Sequence, residues 1–145
     1  MKHYLDTSVV LAWLLEGHDG LGELEGEVSV GSSRLLWVEV SRVLHRAIHT
    51  GRLNAVVATE VRHNFARFAA GLDRIRLSEA VLHRAGGPFP LVIRTLDAMH
   101  LASAEVWLGE RYPDANVSEL IDERSYHAQQ WFTSRAPAML QWFSV

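Results

Sequence analysis

Residues 3–16, HYLDTSVVLAWLLE, read as a short buried strand that meets three consecutive polar residues and then becomes an apolar helix. A nearly continuous apolar strand running straight into a helix opens a strand–helix unit, and such units stack around a parallel sheet covered by helices. The rest of the chain continues in kind. Pattern and turn residues predict strands over 2–5, 27–33, 73–77 and 115–122, and helices over 7–15, 36–50, 54–72, 78–85 and 97–108. Apolar residues at 36, 40, 43, 44, 47 and 48 follow the helical period, and Gly51 is a natural stop. Leu53, Val57, Val61, Phe65, Phe68 and Leu72 form a second such stripe. The Gly-rich acidic stretch 16–26 and the stretch 85–95, broken by two prolines, read as loops. The expected fold is α/β: a three-layer α/β/α sandwich with a central, mostly parallel sheet, in a single domain over residues 1–145.

Composition narrows what such a domain does. An apolar share of 48% suits a globular core. The absence of cysteine excludes disulfides and thiolate metal sites. No apolar run approaches the roughly 20 residues of a membrane span, and a lone Lys2 before a strand is no signal peptide, so a cytoplasmic protein is expected. Of 14 basic residues 13 are Arg, the side chain suited to bidentate recognition of phosphate and carboxylate. A net charge of −3 lacks the broad positive field of a non-specific nucleic-acid binder, so such binding has to be local or carried by a metal.

Four carboxylates stand out. Asp6 ends the first strand, where ligands of parallel α/β sheets sit, although Asp is also a helix cap. Glu39, in LLWVEVSRVLHRA, lies beside the apolar stripe, with pairing to Arg42 or Arg46 as the alternative. Asp97 begins the apolar helix of RTLDAMHLASAEVW, at the positive end of the helix dipole. Asp122, in ELIDERSYH, ends the last predicted strand as Asp6 ends the first. Four carboxylates sharing a crevice repel one another, and a hard divalent cation, Mg²⁺ or Mn²⁺, offsets that repulsion. Such ions activate water and stabilise charge on a phosphoryl group, which points to phosphodiester hydrolysis. His100, three residues after Asp97, reads as a packed or supporting histidine, with a metal role as the alternative. His45 and His49 read as surface residues; Trp13 and Trp37 read as core, or as the lining of a groove for a partner helix.

In YLDTSVVLAWLL, LLWVEVSRVLHRA and IRTLDAMHLASA the chain resembles the PIN-domain family, in particular the VapC-type ribonuclease toxins of bacterial toxin–antitoxin pairs. The resemblance implies that Asp6, Glu39 and Asp97 form a Mg²⁺ or Mn²⁺ site supported by Ser8, which would orient Asp6 or a water. It implies a fourth ligand at Asp122, where the family's Thr-x-Asp pattern is replaced by Leu120 and Ile121 ahead of the carboxylate. Glu119, Glu123 and Asp114 are the neighbouring substitutes. It further implies a metal-dependent endoribonuclease, an RNA substrate with unpaired loops, a cognate antitoxin that wraps the toxin, and a homodimer. Arg94 would reach a phosphate or pair with Asp97. Two rival enzymes fail on residues: an Asp-x-Asp phosphatase needs an acid where Ser8 stands, and a phospho-receiver needs a late lysine where the chain has only Lys2. An RNA-processing nuclease of the same fold, and a partner-binding domain with vestigial carboxylates, are the remaining alternatives.

Overall fold

A computed structural model of the chain describes residues 2–16, 29–89 and 92–111. Strands β1 (Lys2–Tyr4), β2 (Ser29–Ser33) and β3 (Asp73–Ile75) form one sheet in the order β1-β2-β3. Both pairings are parallel, with His3 opposite Val30 and Ser32 opposite Arg74. The described helices are α1 (Thr7–Glu16), α2 (Leu35–His49), α3 (Ala55–Ala69), α4 (Glu79–Ala85) and α5 (Thr95–Arg111). The fold is therefore α/β with a parallel sheet, as the alternation of strand and helix patterns implied. The strand expected over 115–122 and most of the loop over 16–26 lie outside the described residues. Contacts divide the chain after Ala104, and Asp6, Glu39, Asp97 and His100 all lie in the first unit, Met1–Ala104. No described helix is long and apolar enough to cross a membrane.

The central strand, SVGSS, is short of large side chains, so its fit depends on hydroxyl bonds. The buried Ser32 hydroxyl donates to the Leu5 carbonyl at 2.8 Å, and the buried Ser33 hydroxyl accepts from the Leu35 N–H at 3.1 Å. The Leu5 N–H in turn donates to the Gly31 carbonyl at 2.9 Å, which carries the ladder one residue past β1. That bond fixes Asp6 at the carboxyl edge of the sheet.

The core joins Leu5, Val10 and Leu11 to Leu36, Val40 and Leu44 of α2 and to Val61, Phe65, Ala69 and Leu72. These residues recur at helical spacing, so each helix presents one apolar stripe inward. Local chemistry sets the ends. Gly51 turns the chain after α2 at φ +69°, a left-handed conformation suited to glycine. Asn54 caps α3 by accepting from the Val57 N–H at 2.8 Å, and Ser78 caps α4 by accepting from the Val81 N–H at 3.4 Å. Trp13 packs against Phe68 with centroids 4.9 Å apart and Trp37 against Phe65 at 6.0 Å, so both indoles are engaged in packing. Leu44 is fully buried in this cluster. Leu44→Ala is expected to cost about 2–5 kcal/mol, read as a lowered urea midpoint at unchanged slope.

Candidate active site

The turn from β1 into α1 sets two hydroxyls beside two carboxylates. Thr7 and Ser8 are adjacent, so their side chains leave the helix about 100° apart and reach different neighbours. The Ser8 hydroxyl donates to Asp6 Oδ2, and the Thr7 hydroxyl donates to Glu39 Oε2 on α2. Both hydroxyls therefore hold carboxylates, Ser8 in the supporting place expected for it beside Asp6. A helix cap needs only its own turn, whereas Thr7 and Glu39 are brought together by the packing of α1 on α2.

His100 joins these groups from α5. Its Nε2 lies 2.8 Å from Glu39 Oε2, 3.3 Å from the Thr7 hydroxyl and 3.6 Å from Asp6 Oδ1. Its Nδ1 lies 2.8 Å from the Tyr4 hydroxyl, which also accepts from the Ser33 N–H at 3.1 Å. This network assigns the proton of neutral His100 to Nε2, donating to Glu39 while Nδ1 accepts from Tyr4. The ring is buried, and the Tyr4 ring stands edge-on to it at 75°. Asp97 lies one turn before His100 on the same helix, in the first turn of α5, which begins at Thr95 rather than at Asp97 itself.

Electrostatics tie the three carboxylates together. Burial and the negative charge of Asp6 raise the Asp97 carboxyl above the usual carboxylate value, with Glu39 adding to the rise and Arg94 and His100 opposing it. Burial acts to raise Glu39 too, but its hydrogen bonds with His100 and Thr7 and the charge of His100 outweigh that and hold it low. Burial acts to lower His100, yet the hydrogen bond to Glu39 and the charges of Asp6, Glu39 and Asp97 raise it above 6.5. Burial keeps the Tyr4 hydroxyl protonated far above neutrality.

These directions set a pH dependence. A histidine raised in the folded state stabilises below its unfolded value near pH 6.5, and that stabilisation is lost as pH rises through the higher folded value. Metal-free protein is therefore expected to lose stability as pH rises above about 6.5, and His100→Gln to flatten that slope. Urea midpoints across the range check it.

The structure brings Asp6 and Glu39 to one histidine and sets Asp97 close enough for its carboxyl to respond to both. Asp122 and its substitutes Asp114, Glu119 and Glu123 lie outside the described residues. Glu39 takes His100 as its ionic partner instead of Arg42 or Arg46. Pairing by local spacing favours the arginines, but α2 turns Glu39 towards α5. Tyr4 and Thr7 were not foreseen as site residues; the spacing of Asp97 and His100, three apart on a helix, was the sequence signal for the histidine.

Among the described residues no three His, Asp or Glu side chains already stand as a closed cage for an ion. The donor chemistry nonetheless fits Mg²⁺ or Mn²⁺. Asp6, Glu39 and Asp97 offer hard oxygen donors, and Mg²⁺ keeps several waters and takes one or two carboxylates directly. The raised Asp97 marks surplus negative charge that a cation offsets.

Ribonuclease VapC46 of Mycobacterium tuberculosis (strain ATCC 25618 / H37Rv) is 51% identical over 39 residues, 27% of this chain and 30% of that protein. The match thus spans under a third of that relative's length. No solved structure matches the chain. The family described as PIN domain matches residues 3–106, from the first strand through the helix that bears Asp97 and His100. The chain belongs to the PIN-domain family.

Proposed function

We propose that this chain is a divalent-metal-dependent endoribonuclease, the toxin of a toxin–antitoxin pair, acting in the cytoplasm on RNA. The observation that carries it is the meeting of Asp6 and Glu39 at His100, with Asp97 responding to both charges. Asp6, Glu39 and Asp97 would hold Mg²⁺ or Mn²⁺, with Asp122 as the fourth ligand. When bound, the ion supplies an activated water and offsets the charge that builds on the phosphoryl oxygens. The protein's own part is placement. Ser8 fixes one Asp6 oxygen, Thr7 and His100 fix one Glu39 oxygen, and the remaining carboxylate oxygens are left to the cation. The ribonuclease name of the relative supports RNA as substrate and supports a VapC-type toxin, whose partners would be a cognate antitoxin and a second copy of the chain.

Incubation of the purified protein with single-stranded RNA and Mn²⁺ tests this. Cleavage is expected to require the metal, to stop with EDTA, and to be lost in Asp6→Asn together with stoichiometric Mn²⁺ binding. Cleavage that survives both EDTA and Asp6→Asn refutes it.

A further inference from the structure

The exposed face of α2 carries charge of one sign. Its exposed positions are Val38, Ser41, Arg42, His45, Arg46 and His49, and Glu39, half-buried at its edge, is the only acidic residue of the helix. Residues 39, 42, 46 and 49 succeed one another at steps of three and four, so they form one ridge along the helix. The ridge starts at the site carboxylate. With a rise of about 1.5 Å per residue, Arg42 stands roughly 4.5 Å and Arg46 roughly 10 Å along the axis from Glu39.

Both arginines are left without the partner that spacing offers them. Glu39 is turned to His100 and Thr7, and among the described residues neither Arg42 nor Arg46 pairs with a carboxylate. In a chain of net charge −3, two such guanidinium groups beside a carboxylate cluster are a local reversal of sign. A cation cluster that neutralises nearby carboxylates would pair with them; one that binds an outside anion stays clear of them and points to solvent.

We propose that Arg42 and Arg46 form a track that binds the phosphate backbone of single-stranded RNA and leads it to the carboxylates at Asp6, Glu39 and Asp97. The proposal rests on the ribonuclease reading and names the residues that hold its substrate. Guanidinium forks bind phosphate oxygens two at a time, and their spacing along the ridge engages successive phosphates of one strand. Such contacts position the strand without reading its bases, so the track adds affinity and leaves sequence choice to the site itself.

Salt dependence of binding tests it. A fluorescein-labelled 12-nucleotide single-stranded RNA is titrated with intact protein in EDTA, so that no cleavage intervenes, over a series of KCl concentrations. Each phosphate contact contributes about 0.7 to the slope of log affinity against log salt, so Arg42→Gln/Arg46→Gln is expected to lower the slope by about 1.4. Acting over the decade below 1 M, that loss weakens binding roughly 25-fold at 0.1 M salt. Arg62→Gln/Arg67→Gln, two exposed arginines of α3, is expected to leave slope and affinity unchanged. Affinity and slope unchanged in the α2 variant overturn the track and leave the ridge to an acidic protein partner. So does a wild-type protein with no measurable affinity, or an equal loss in the α3 variant. Cleavage of the same RNA by wild-type protein with Mn²⁺ reads the ribonuclease assignment separately: cleavage with no effect of the α2 variant sinks only the track, and no cleavage sinks both.

Discussion

Asp97→Asn is expected to cut cleavage on the order of a thousandfold while slightly raising the melting temperature of the metal-free protein. The two effects have one cause. Asp97 ionises above the usual carboxylate value because it is partly buried and faces the charges of Asp6 and Glu39. An acid raised in this way works against the folded state once ionised, so folding gains as pH falls through its folded value and loses as pH rises. Asparagine keeps the shape and removes the charge, which relieves the repulsion; the solvent-facing part of this half-exposed carboxyl is screened by water, which keeps the gain small. A divalent ion needs the same charge, and losing about 4 kcal/mol of transition-state stabilisation is a thousandfold in rate. Added Mn²⁺ should stabilise the wild-type protein and leave the variant unchanged. If Asp97 served only as a dipole partner at the start of α5, the substitution would lower the melting temperature or leave it unmoved, and cleavage would persist.

His100→Ala is the second large effect. His100 holds Glu39 at 2.8 Å and is itself held by Tyr4 at 2.8 Å, so the ring fixes which Glu39 oxygen stays available. Removing a group that orients a metal ligand costs about 10–100-fold in metal affinity or activity. Mn²⁺ affinity measured by calorimetry is expected to fall by that factor in His100→Ala. His100→Gln, whose amide N–H₂ can still donate to Glu39, is expected to recover most of it. Equal affinity in the alanine variant refutes the role, and equal loss in both variants assigns His100 to packing alone. Metal-free melting curves separate damage to the fold from damage to the ligand.

The fold was legible because it is written in local period. The stripes at 36, 40, 44 and 47 and at 61, 65 and 68 fall on the helices the structure shows, and Gly51, Asn54 and Ser78 mark their ends. β2 was legible in extent but less in character, since the bonds of Ser32 and Ser33 compensate for side chains the strand lacks. The partners of the carboxylates were not legible. Spacing along one helix offers Glu39 only Arg42 or Arg46, whereas its actual partners stand 32 and 61 residues away in sequence. No periodicity reports contacts of that separation. They follow from which helix face the core claims first: Leu36, Val40 and Leu44 bury one side of α2 and leave Glu39 at the edge that meets Thr7 and His100. Likewise Thr7 reaches Glu39 only through the packing of α1 on α2, whereas the bond of Ser8 to Asp6, two residues apart, is local.

The Tyr4–His100 bond closes a loop of chain 96 residues apart in sequence, and this has a bearing on synthesis. At the roughly 5–20 residues per second of translation, Tyr4 leaves the ribosome on the order of 5–20 s before His100 does. Once Glu39 has emerged, the nascent chain holds Asp6 and Glu39 but, for most of the remaining interval, lacks the helix that orients one of them and supplies Asp97. Under the proposed ribonuclease function, a chain whose carboxylate site is incomplete until α5 emerges would be inert beside the very RNA from which it is being made.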